Sequence, residues 1–145
     1  DKAAIFEDSD GKECIVSTGE VTSEQCEGHL PNVPMIPVIR LLQIVALTGR
    51  LLSAYATQKD RIIAEVTHYG EGGSPISLAE FKNLRPPQKI VSFARISQKD
   101  KREVRTVDNK AWIAMPEGFI PAATVNGVTY AIIPARLHGK ALKGE

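Results

Sequence analysis

The stretch from Ile36 to Ala56 is apolar almost throughout, and its strongly polar side chains are Arg40, Gln43 and Arg50. Pro37 stands at its start, where a helix tolerates proline because the missing N–H would have no helical acceptor. The apolar spacing predicts a helix of about twenty residues. Charged side chains are costly in lipid, so we expect a core helix and no membrane span. Because apolar side chains lie on most of its sides, the helix should be wrapped by other structure.

Short β-rich runs occupy much of the remaining chain. We expect strands at 3–6, 14–21, 61–69, 90–96, 103–107, 111–115, 122–125 and 128–133. Residues 8–11 and 98–102 are predicted turns, residues 108–109 are a predicted interruption, and Asn126-Gly127 is a strong hairpin signal. One long apolar helix with antiparallel strands predicts an α+β fold in which a curved sheet wraps a central helix.

Composition narrows the function classes. The chain is 43% hydrophobic and 24% charged, as globular proteins commonly are, and its formal net charge of +1 argues against a nucleic-acid partner. Cys14 and Cys26 are too few for a disulfide framework or a structural zinc site. We therefore expect two reduced thiols in a cytoplasmic protein that carries no metal.

The segment before the helix has a specific pattern: Gly28-His29-Leu30-Pro31, with further prolines at 34 and 37. It resembles the active-site segment of bacterial β-hydroxyacyl-ACP dehydratases, Gly-His-Phe-Pro-x-x-Pro-x-x-Pro-Gly, in which an acidic residue follows fourteen positions after the histidine. The resemblance implies a hot-dog fold, with residues 1–145 forming one domain. It also implies an acyl-ACP or acyl-CoA substrate, no cofactor, and a homodimer or higher oligomer in which subunits complete each other's site.

Three positions depart from the family pattern: Leu30 replaces phenylalanine, Val38 replaces glycine, and Gln43 stands where the acid is expected. The resemblance assigns general acid/base work to the histidine and the acid together. An amide can form hydrogen bonds but cannot exchange a proton at neutral pH, so His29 is the one titrating group left in the pattern. Val38 keeps the N–H that the family glycine offers to the thioester oxygen at the helix N-terminus, but it adds bulk beside the expected acyl tunnel.

The candidate site therefore contains His29 and Gln43 at the catalytic positions, with substrate contacts expected from Leu30, Pro37, Val38 and Arg40. A buried arginine needs a partner, which for Arg40 could be Glu65, Glu80 or another carboxylate at the subunit interface. It could instead be a carboxylate or an oxygen-rich ring of the substrate.

Three functions remain open at this point. The first is dehydration of a hydroxyacyl thioester, or isomerisation of an enoyl thioester, with His29 as the only titrating catalytic group. The second is thioester hydrolysis. The third is a non-catalytic hot-dog subunit, which the replacements at Val38 and Gln43 would fit.

Overall fold

The computed structural model describes residues 2–22, 38–57, 61–77, 80, 84 and 88–134, without the side chains of 38, 39, 61–65 and 134. Its helix α1 spans Val38–Ala56. The strands are β1 (Lys2–Glu7), β2 (Glu13–Val21), β3 (Arg61–Tyr69), β4 (Gly72–Gly73), β5 (Gln88–Lys99), β6 (Glu103–Met115) and β7 (Gly118–Pro134). The predicted long helix is thus confirmed. No helix among the described ranges is long and apolar enough to cross a membrane.

The seven strands form one antiparallel sheet in the order β1-β2-β5-β6-β7-β3, with β4 paired to β7. Helix α1 packs against the inner face of this sheet, chiefly over β5, β6 and β7. Leu41, Val45 and Leu52 are fully buried on the helix side of the interface. Each such side chain contributes about 1.5–3 kcal/mol through its burial, so this layer is the main stabilising contact of the fold.

The helix is not wrapped on all sides, contrary to the prediction from its composition. Leu47, Leu51 and Tyr55 are 62%, 50% and 65% exposed. They follow one another at intervals of four residues and so form a single apolar stripe, which we call the helix ridge. The described strands form one sheet, and that sheet covers one side of the helix. The ridge therefore remains uncovered in the monomer.

The two predicted polar turns are confirmed. The turn between β1 and β2 is closed by Asp8, whose Oδ1 accepts from the backbone N–H groups of Asp10 and Lys12 at 2.9 Å each, and Gly11 adopts a φ of 75°. The turn between β5 and β6 is closed in the same way by Asp100 Oδ1, which accepts from Arg102 N at 2.7 Å and Glu103 N at 3.0 Å. Both are turns in which a short acidic side chain replaces a backbone acceptor.

The predicted hairpin at Asn126-Gly127 is wrong, because β7 runs straight through these residues. Val125 and Gly127 both pair with β6. On the opposite edge, Asn126 N donates to Glu71 O at 2.9 Å, and Gly70 N donates to Gly127 O. A Cβ at Gly70 would lie 2.7 Å from Gly127 N, so these glycines permit a close crossing of two backbone segments.

The predicted interruption at 108–109 is a local distortion within a continuous β6. Asp108 has a φ of 55°, in the left-handed region that short polar residues tolerate best. Its side chain and that of Asp8 both pair with Arg95, which fixes the distorted position on the outer face of the sheet. Cys14 lies buried on that face as a free thiol, as expected, whereas Cys26 lies outside the described residues.

The Tyr130 hydroxyl lies directly under α1 at Gly49 and leaves no room there for a side chain. Tyr130 Oη donates to Ala46 O at 2.7 Å, and Thr106 Oγ1 donates to Asn109 Oδ1 at 2.8 Å. A Cβ at Gly49 would lie 2.7 Å from Tyr130 Oη and 3.1 Å from Thr106 Oγ1. The helix can therefore approach the sheet this closely only with glycine at this position.

We expect Gly49→Ala to lower the free energy of unfolding by about 1–2 kcal/mol, since overpacking costs about 1–3 kcal/mol and alanine returns up to ~1 kcal/mol in helix propensity. Urea denaturation measures this difference. Tyr130→Phe removes the atom that would clash, so the double variant should lose less than the sum of the two single variants. A Gly49→Ala protein at least as stable as the wild type would contradict this account of the packing.

Candidate functional site

Two clefts run along opposite sides of the helix ridge. The larger has a volume of about 800 Å³ and is lined by Arg40, Leu42, Gln43, Ala46, Leu47, Tyr69, Gly70, Gly72 and Val125. The smaller, of about 370 Å³, lies between α1 and strands β1 and β2. Arg40 and Leu47 line both clefts and so stand between them. The larger volume lies within the range of about 300–1,000 Å³ that is typical of small-molecule sites.

The backbone of the larger cleft explains its shape. Its outer wall is formed by Tyr69, the last residue of β3, and by the glycines that follow it. Gly70 is held against Gly127, and Gly72 pairs with Val125, so the chain turns tightly across the edge of β7. A Cβ on Gly72 would come within 3.8 Å of Leu42, which lies on the helix side of the cleft. Glycine has no side chain, so at Gly70 and Gly72 backbone atoms alone form the wall of the cleft.

Arg40 and Gln43 meet at the rim of the larger cleft. They are three residues apart on α1 and therefore on one face of the helix. Arg40 Nη1 donates to Gln43 Oε1 over 3.3 Å. Arg40 is half-buried, whereas Gln43 is exposed. Two of the polar side chains that the sequence predicted in the site, Arg40 and Gln43, are thus in direct contact.

Arg40 does not pair with Glu80 in the described chain, and its pairing with Glu65 or across a subunit interface stays a prediction. Among the described residues, no salt bridge includes Arg40. Glu80 instead accepts from the Ser77 hydroxyl at 3.0 Å, and the side chain of Glu65 lies outside the description. Within the described chain, the recorded partner of the guanidinium is therefore a neutral amide oxygen.

The described residues of the larger cleft can bind a ligand but supply no carboxylic acid or histidine for proton transfer. Its described lining is mostly apolar, Arg40 is its one charged member, and it includes no histidine, aspartate or glutamate. A base for chemistry in this cleft must come from elsewhere in the chain or from a partner chain. Across the described ranges, moreover, no group of three histidine, cysteine or acidic side chains could hold a metal ion.

The smaller cleft holds a pair of hydroxyls, Ser17 and Thr48. Thr48 Oγ1 donates its proton to Ile44 O at 2.8 Å, so the 3.1 Å bond between the two hydroxyls has Ser17 as its donor. Among the described residues, no base that could activate a nucleophile contacts either oxygen. We interpret the pair as a polar link that holds α1 against β2.

The other predicted site residues cannot be placed. His29, Leu30 and Pro37 lie outside the described residues, and so does the side chain of Val38, although its backbone begins α1. The sequence analysis missed Leu47, Tyr69, Gly70 and Gly72 as lining residues. The run Gly70-Glu71-Gly72-Gly73 was a usable signal, since clustered glycines after a strand indicate a close backbone approach.

Comparison with known proteins rests on structure alone, since no protein-family model matches the chain and no curated protein matches it by sequence. A hot-dog-like protein from Thermanaerovibrio acidaminovorans is 8% identical with a TM-score of 0.62, covering 90% of this chain and 88% of its own. A thioesterase-superfamily member from Thermus thermophilus is 15% identical with a TM-score of 0.60, covering 88% of each chain. A point mutant of the fluoroacetyl-CoA-specific thioesterase FlK is 8% identical with a TM-score of 0.55, covering 89% of this chain and 93% of its own. At these identities the likeness shows the fold, and the chain has the hot-dog fold that its sequence predicted.

Proposed function

We propose that this protein binds acyl thioesters in the larger cleft beside α1 and hydrolyses them. The observation that carries the proposal is the lining of that cleft, which is apolar, has one cationic residue, and includes no carboxylic acid among its described members. An apolar cleft suits an acyl chain, and a cation at its rim suits the polar end of the ligand. Thioesterases among the structural neighbours support the same substrate class.

Hydrolysis is favoured over dehydration because of Gln43. The dehydratase mechanism implied by the motif needs an acid beside the histidine, and Gln43 supplies an amide that is bound to Arg40. Hydrolysis needs one base, for which we propose His29. It would take a proton from water while the water oxygen bonds to the thioester carbon. The C–S bond then breaks, and the departing sulfur receives the proton.

The resemblance of Gly28-His29-Leu30-Pro31 and its prolines to the dehydratases supports a second candidate. A single histidine can move a proton between the α and γ carbons of an enoyl thioester, so isomerisation is chemically easier here than dehydration. We place this second because it takes no support from the structural neighbours compared above.

We further propose that the protein is a homodimer whose subunits cover each other's helix ridge. Leu47, Leu51 and Tyr55 present a contiguous apolar surface that a monomer leaves in water. Strand β3 lies at one end of the sheet and pairs with β7 alone among the described strands, so its other edge can pair with a second copy. Both features adjoin the larger cleft, which a second subunit would help to enclose.

A panel of acyl-CoA thioesters tests the proposed reaction. We expect the wild-type protein to release free CoA thiol, detected with a thiol-reactive dye, from at least one saturated acyl-CoA. Loss of the enoyl absorbance without thiol release would favour the second candidate instead. A panel that binds without any turnover would mean that the protein is a non-catalytic acyl-thioester subunit.

A further inference from the structure

Arg40 is a cation whose charge is not compensated by any carboxylate of the described residues. Arginine stays protonated at any physiological pH, and a half-buried guanidinium needs an anionic or hydrogen-bonding partner. The recorded contact of Arg40 is the 3.3 Å bond to Gln43 Oε1, which neutralises no charge. Besides Arg40, the charged residues lining the smaller cleft are Lys2 and Glu20, and the Glu20 carboxylate does not come within salt-bridge distance of Arg40 in the described chain.

Arg95 differs from Arg40 in that its charge is compensated by carboxylates. Arg95 is held between two carboxylates, with Asp8 Oδ2 at 3.4 Å and Asp108 as a second partner. These ion pairs neutralise the charge of Arg95 and link β5 to the first turn and to β6. Within the described chain, Arg40 contacts an amide where Arg95 contacts acids, and no described carboxylate binds its remaining donors.

Gln43 has a role in this arrangement that an acid could not perform. Its carbonyl oxygen fixes the guanidinium by accepting one hydrogen bond and leaves the positive charge intact. A glutamate at the same position would form an ion pair with Arg40 and compete with any anionic ligand. An amide in place of the expected acid thus leaves Arg40 as a half-buried, oriented cation with its charge intact.

We propose that Arg40, held by Gln43, binds an anionic oxygen group of the thioester ligand: either a carboxylate at the far end of the acyl chain or a phosphate of the carrier. The inference rests on the proposed function, since it places a thioester in the larger cleft. It goes further by making the ligand anionic at a defined point. Arginine suits both groups because its planar fork matches two oxygens at once.

Binding of four non-hydrolysable thioethers, measured by isothermal titration calorimetry, tests this inference. Two carry a short saturated chain ending in a methyl group, on CoA or on neutral N-acetylcysteamine; two carry the same chain ending in a carboxylate. We expect Arg40→Ala to weaken binding about 10- to 100-fold for the anion that Arg40 contacts. A loss that follows the carboxylate on both carriers identifies the acyl end, and a loss confined to both CoA compounds identifies the phosphate.

Gln43→Glu should also weaken the binding of the compounds that Arg40→Ala affects. Arg40→Lys keeps the charge without the planar fork, so its affinity for these compounds should fall less than that of Arg40→Ala. Arg50→Ala is the matched control: it removes an exposed arginine from the same helix outside both clefts and should change none of the four affinities. Equal affinities for wild type and Arg40→Ala across all four compounds would overturn the inference, as would failure of all four to bind the wild type. Binding that depends on Arg40 in a protein that releases no thiol would overturn hydrolysis alone.

Discussion

The double variant Leu47→Glu/Leu51→Glu should be a folded monomer without thioester turnover. Both leucines are at least half exposed in the single chain, so the substitutions remove little from the core of that chain. In a dimer each of the four leucines would bury its remaining exposed half, which contributes about 1 kcal/mol, so their loss would weaken association by roughly 4 kcal/mol, or ~10³-fold. Light scattering distinguishes a 15.8 kDa chain from a particle of twice that mass.

Two controls make this result specific. Circular dichroism should give the wild-type spectrum, which separates dissociation from unfolding. Phe119→Glu introduces the same charge at a side chain that is 66% exposed but lies at the start of β7, away from the helix ridge. We expect that variant to remain a dimer with normal activity. A Leu47→Glu/Leu51→Glu protein that is still dimeric would contradict the proposed interface.

The variant His29→Gln should lose turnover by about 10²- to 10⁴-fold, the usual contribution of a positioned acid or base. Glutamine keeps a hydrogen-bonding side chain but cannot exchange a proton, so the loss reports proton transfer rather than contact. Thiol release from the best acyl-CoA of the panel measures it. Binding of the corresponding thioether should change much less than turnover.

His68→Ala is the control for this experiment. His68 lies on β3, is exposed, and lines neither cleft. Its removal should leave turnover at the wild-type level. If His29→Gln retains full activity, the base is another residue and the resemblance to the dehydratase segment does not extend to chemistry.

The sequence predicted those parts of the fold that depend on local patterns. The helix followed from the periodic apolar residues after Pro37, and the turns at Asp8 and Asp100 followed from acidic side chains that replace backbone acceptors. The Asn126-Gly127 prediction failed because pairing with β6 on one side and with Glu71 and Gly70 on the other outweighed a local turn preference. Such pairing depends on residues distant in sequence, which periodicity cannot reveal.

The site was predictable to a smaller extent. Arg40 and Gln43 could be assigned to one helix face from their spacing, and the structure places them in contact. Their shared cleft could not be predicted, because its outer wall comes from Tyr69 and the glycines that cross β7. The apolar composition of α1 also could not show whether a given side of the helix packs against the chain's own sheet or against a second copy. Leu47 and Leu51, both at least half exposed, show that the chain's own sheet does not cover this side of the helix.

The most direct test of the central claim is mass spectrometry of a 3-hydroxyacyl-CoA after incubation with the wild-type protein, because one spectrum separates the competing reactions. Hydrolysis converts the substrate into free CoA and a hydroxy acid, and this is the result we predict. A product still attached to CoA but lighter by one water would show dehydration. That outcome would contradict hydrolysis and would mean that His29 works without the carboxylic acid that Gln43 replaces.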